Sequence, residues 1–120
     1  MEVKNDKPIY LQVAEIIENQ ILNDSLLPDE RAPSTNEFSS ILEINPATAR
    51  KGITILVDEG ILYKRRGMGM YVTEDAKSII IKKRKQEFYE DRMPEILKEA
   101  KILEITKDEL IDFIRGEEND

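Results

Sequence analysis

The chain has 120 residues, of which 40% are hydrophobic and 36% charged, with a formal net charge of −7. That is enough for one compact soluble domain and an appendage. It has no cysteine and no histidine, which excludes thiol nucleophiles, Cys/His zinc sites, Ser-His-Asp triads and imidazole acid–base catalysis. No Asp/Asn-rich loop has calcium spacing either, so no enzyme, metal site or cofactor is expected. No apolar run approaches the roughly 20 residues of a membrane span. The start, MEVKNDKP, lacks the apolar stretch of a signal peptide, so a cytoplasmic protein with no membrane partner is expected.

Residues 8–23 open with a proline suited to a first helical turn, and Ile9, Val13, Ile16, Ile17 and Ile21 then recur at helical spacing. In DSLLPDERAP, Pro28 and Pro33 exclude helix, which leaves a loop with a short extended piece around Leu26–Leu27. Ser34 and Glu37 form a capping box for a short second helix carrying Phe38, Ile41 and Leu42. Asn45 then caps and Pro46 opens a third helix, with Ala49, Ile53 and Leu56 inward and Gly60 as its C-terminal stop. Gly52 costs that helix about 0.8–1 kcal/mol against Ala, which suggests close packing on a neighbouring helix.

Residues 61–65 and 70–73 are rich in Ile, Tyr, Val and Thr around the connection RGMG, and predict a β-hairpin. After Thr73 the composition turns helical, with Ile80, Phe88, Ile96, Leu97, Ala100 and Leu103 as inner positions. Pro94 should kink or break this helix one turn earlier. Thr106 and Glu109 repeat the capping-box signal and start a last helix, 107–115, before a frayed tail.

Helix, extended piece, two short helices joined by the tight LEINPAT turn, and a hairpin together read as a winged helix-turn-helix. The fold class is therefore mainly α with a small β-hairpin: a DNA-binding domain over 1–73, then a short helical dimerisation region over 74–120. The third helix would enter a major groove by its start, which presents Asn45, Ala47, Thr48, Arg50 and Lys51. An Arg–Lys pair on a solvated helix face is the bland alternative. The acidic balance is spread: residues 1–73 carry eight Lys/Arg against eleven Asp/Glu, yet their cations gather at Arg50–Lys51 and Lys64–Arg66.

The Gly-x-Gly of RRGMGMYV could in principle cradle a cofactor phosphate. A dinucleotide fingerprint needs a third glycine and a following helix, whereas Val72 and a second strand stand there. The glycines therefore belong to a wing.

PIYLQVAEIIENQIL, APSTNEFSSIL and INPATARKGITILVDEGILYKRRGMGMYV resemble, in order and spacing, the DNA-binding domain of GntR-family bacterial transcription regulators. The resemblance covers 8–73 without a gap, and NPAT with the short remainder is similar to the YtrA subfamily. It implies a homodimer that binds a double-stranded inverted-repeat operator, usually as a repressor, often beside transporter genes. It places Ser34, Thr35 and Asn36 on the DNA backbone and Thr48, Arg50 and Lys51 on the bases. It places the wing tip, Arg65, Arg66, Gly67, Met68 and Gly69, in the minor groove. Asn36, Pro46 and Met70 depart from the commonest family residues at their positions.

In the remainder, Lys82–Lys85 reads as a solvated helix face balanced by EFYEDR. Ile80, Phe88, Tyr89, Leu97, Leu110, Phe113 and Ile114 are expected in a dimer core, because so short a segment cannot bury its apolar side alone. A small-molecule effector stays open, with room only for a small or intersubunit site. The rival to DNA binding is a winged-helix protein-interaction module, which the charge of −7 would suit.

Overall fold

The computed structural model describes residues 7–118. The chain divides into two compact units, Met1–Lys82 and Lys83–Asp120.

In the first unit, α1 (Ile9–Leu22) buries Val13, Ile17 and Ile21, one per helical turn. It packs on α3 (Pro46–Asp58) where Gly52 lies. A Cβ at Gly52 would stand 2.4 Å from the Tyr10 carbonyl oxygen and 3.0 Å from the Val13 Cβ. The missing side chain is what lets the two backbones approach, so the cost in helix propensity is offset by packing.

Between them, α2 (Thr35–Leu42) starts with the full capping box: Ser34 Oγ accepts from the Glu37 N–H, and the Glu37 carboxylate accepts from the Ser34 N–H. Phe38 is its buried anchor. The helix stops at Glu43, in the left-handed region at φ 53°, where glycine is the usual residue. Asn45 then caps α3, its side chain accepting from the Ala47 N–H at 2.8 Å, with Pro46 in the first turn.

Gly60, at φ 79°, follows α3 and leads into β1 (Leu62–Arg65), which pairs antiparallel with β2 (Gly69–Val72). Leu62 faces Val72, Tyr63 faces Tyr71 and Arg65 faces Gly69, so the turn is the three residues Arg66–Gly67–Met68. Ile61, Leu62 and Val72 root the hairpin in the core.

The extended piece of the preceding loop lies later than expected. Leu26 sits at a bend and Leu27 in irregular backbone, whereas Arg31 bridges Tyr71. Around that bridge the Asp29 N–H donates to the Val72 carbonyl, the Val72 N–H to Glu30 and the Ala32 N–H to Met70, at 2.8–3.0 Å. Pairing goes where β2 offers a free edge, and Pro33, which has no N–H, ends it.

The boundary between units also falls later than Thr73. α4 (Ala76–Glu87) begins in the first unit and buries Ala76 and Ile80 there. Ile80, expected in a dimer core, is instead 0% exposed within the winged unit's own core.

In the second unit the helical backbone runs from α4 through a π turn, Phe88–Arg92, into α5 (Met93–Ile102). Pro94 does not break it. Its ring cannot donate to the Glu90 carbonyl and would clash with it, and the strain is absorbed by the widened turn just before. There the Met93 N–H reaches the Phe88 carbonyl, five residues back. Thr106 caps α6 (Lys107–Glu118) by the second capping box, and this helix runs beyond the expected end at Arg115. Residues 119–120 of the expected frayed tail lie outside the described residues.

Ala100 is buried, Leu110 half-buried, and Phe88, Tyr89, Ile96, Leu97, Leu103, Phe113 and Ile114 are each exposed. Phe88 and Tyr89 meet edge to face with ring centroids 5.4 Å apart. Among the described residues, no helix is long and apolar enough to cross a membrane.

Candidate nucleic-acid interface

The residues expected to meet DNA all fall in the first unit, on three exposed features: the start of α2, the start of α3 and the wing turn. Ser34 and Thr35 are half-buried and Asn36 is exposed. Ser34 Oγ and the Asn45 side chain are engaged as caps, so their first role is to end the helices cleanly and aim them.

On α3, Ala47, Arg50 and Lys51 are exposed and Thr48 is half-buried. Among the described residues the Arg50 guanidinium meets no side-chain partner. Its five donors are open, which is what a bidentate contact to guanine requires. Lys51 differs. Its Nζ sits 4.1 Å from the centre of the Tyr10 ring, so α1 holds this cation by its π face.

The two wing arginines are also unlike. Arg65 folds back on its own strand, with its guanidinium 4.1 Å from the Tyr71 ring centre and Nη2 donating to the Tyr63 hydroxyl at 2.8 Å. That hydroxyl donates in turn to Asp29 Oδ1 at 2.8 Å. The Tyr63 hydrogen bond raises the Arg65 pKa above its ordinary value, with desolvation acting against it and the Asp29 charge acting with it. Arg66, in the turn, has no such anchorage among the described residues. Gly67 beside it faces open space, with nothing within 4 Å of where a Cβ would stand, and Met68 is 59% exposed. The wing tip thus presents a cation on an open turn.

Sequence reasoning missed Arg31, Tyr10, Asp29 and Tyr63. The signal for Tyr63 was the cross-strand register, which puts two tyrosines on one face beside Arg65. Arg31 and Asp29 act across 34 or more residues, and no local pattern marks them. A cleft of about 180 Å³ lined by Gln20, Ser25, Leu26, Arg31 and Glu37 is smaller than the roughly 300 Å³ at which ligand pockets begin.

Comparison with known proteins agrees with this architecture. The chain is 30% identical over 114 residues to the HTH-type transcriptional regulator YhcF of Bacillus subtilis (strain 168), covering 95% of this chain and 93% of YhcF. It is 25% identical over 115 residues to the HTH-type transcriptional repressor YtrA of the same organism, covering 96% and 88%, which fits the YtrA-like resemblance. A GntR family transcriptional regulator from Listeria monocytogenes superposes with TM-score 0.72 at 26% identity, covering 95% of this chain and 98% of that one. AraR(DBD), solved in complex with operator ORR3, superposes with TM-score 0.55 at 34% identity, covering 61% and 88%. Residues 9–72 match the family described as bacterial regulatory proteins, gntR family. The winged helix-turn-helix, the exposed start of α3 and these matches lead to one conclusion: the chain belongs to the GntR family of transcription regulators, a non-enzymatic class.

Proposed function

We propose that this protein binds an inverted-repeat operator as a homodimer and represses transcription from it. The observation that carries the reading is the presence on one compact unit of two guanidinium groups, Arg50 at the start of α3 and Arg66 at the wing tip, that meet no side-chain partner among the described residues. In the proposed complex Arg50 reads a major-groove guanine, Thr48 lies beside it, and the wing brings Arg66 to the minor groove. Lys51 and Arg65, held by aromatic rings, add positive charge near the phosphates. The sequence likeness to AraR(DBD), solved with its operator, supports a DNA partner, and YtrA is itself named a repressor.

Dimerisation is assigned to the second unit. Phe88, Tyr89, Leu97, Phe113 and Ile114 are between 41% and 68% exposed, too much large apolar surface for a segment of this size to leave in water. A second copy covers it symmetrically, and places two reading heads on the two halves of an inverted repeat.

The test is a comparison of variants on an operator half-site. Arg50→Ala should weaken binding by about 1–3 kcal/mol and relax base preference at one position. Arg66→Ala should weaken all sequences alike and reduce the salt slope by about one. Equal, sequence-independent losses from both would remove the base-reading role from α3.

A further inference from the structure

We propose that Arg31 is a positioning residue for the wing: its guanidinium holds the hairpin turn where Arg66 can meet DNA. The proposal rests on the DNA-binding reading above. The wing turn has little to hold it. Within it the Met68 N–H closes onto the Arg65 carbonyl at 2.9 Å, and Gly67 has open space on its side-chain face. Support comes from outside the hairpin. The backbone bridge from Arg31 to Tyr71 lays the loop before α2 along the free edge of β2. From there the Arg31 side chain runs toward the tip, and Nε donates to the Met68 carbonyl at 3.2 Å.

Gly69 makes room for it. A Cβ at that position would stand 3.1 Å from Arg31 Nε and 3.9 Å from its Cδ, and the residue holds φ at 110°. The second glycine of Gly-x-Gly therefore admits the arginine that steadies the turn. At its other edge, Arg31 Nη1 lies 3.7 Å from Glu37 Oε1, the carboxylate oxygen that also accepts from the Ser34 N–H. One side chain thus ties the wing tip to the start of α2, so two of the three proposed contact features are joined before DNA arrives. Order present in the free protein need not be supplied on binding, and affinity gains by that amount.

A double-mutant cycle in the full chain separates positioning from a phosphate contact made by Arg31 itself. Arg31→Ala, Arg66→Ala and the double variant are titrated onto the inverted repeat that wild type selects. Arg31→Ala should weaken binding about fivefold, the upper end for an exposed charged interaction. The double variant should bind no more weakly than Arg66→Ala alone, because Arg31 acts through Arg66. Arg31→Lys keeps the charge but not the Nε geometry, and should behave as Arg31→Ala; it also carries the cycle should the alanine variant unfold. Additive losses, or wild-type binding by Arg31→Lys, would overturn the positioning role while leaving DNA binding intact. A wild-type protein that selects no operator would sink the DNA-binding reading instead.

Discussion

Replacing Ile80 with alanine should lower the stability of the winged unit by about 2–5 kcal/mol, the range for truncating a fully buried isoleucine. Ile80 is 0% exposed and belongs to the same apolar cluster as Val13, Ile17, Leu56 and Val72. The side chain lost has no route to solvent, and the surrounding helices can collapse only partly into the space. For a unit of this size each kcal/mol moves the midpoint by about 4–8 °C, so thermal unfolding should shift by ~10 °C or more. The shift should not depend on protein concentration. A concentration-dependent shift, with a weakened dimer and an unchanged winged unit, would return Ile80 to the interface first expected for it.

The second large effect is expected at Gly52, where adding a single carbon should be destabilising although alanine is the better helix former. Alanine would gain about 0.8–1 kcal/mol in helix propensity. Its Cβ, however, would stand 2.4 Å from the Tyr10 carbonyl oxygen, a backbone atom of the facing helix that no rotamer change can move. α1 and α3 would have to separate, and overpacking of this kind typically costs about 1–3 kcal/mol. The expected net result of Gly52→Ala is a lower unfolding midpoint, read by circular dichroism. DNA affinity should fall with it, because Lys51, the preceding residue, would leave the Tyr10 ring. An unchanged or raised midpoint would show that the two helices are not in close contact there.

The sequence was most legible where structure is local. Ser34 with Glu37 and Asn45 with Pro46 define two helix starts within four residues each, and the capping bonds are present. Leu62, Val72 and the two glycines likewise mark a hairpin by themselves. What escaped depends on distant partners. The extended pairing settles on Asp29–Ala32 because the edge of β2 is there, and β2 lies some forty residues downstream. The helical composition beginning after Thr73 was visible, but composition carries no sign that Ala76 and Ile80 belong to the core of the winged unit. Glu43 stops α2 in a conformation usually given to glycine, so no stop signal marked it.

Site residues show the same division. That Arg65 and Arg66 stand in a wing was readable from their place beside Gly-x-Gly. Their difference was not, since it comes from Tyr71 across the strand and from the Tyr63–Asp29 hydrogen bond. Arg31, in the loop before α2, had no mark at all until the fold brought it to Met68.

Sequence-specific recognition of an inverted repeat by a dimer is open to a direct test: selection of bound sequences from a random duplex pool with the purified protein at moderate salt. The expected outcome is enrichment of a two-fold symmetric site whose half-site spacing reflects about one helical turn or a multiple of it. Arg50→Ala should then lose preference at one base pair in each half. Recovery of unenriched sequences, or of a site without symmetry, would contradict this recognition, and the former would leave the fold to serve a protein partner.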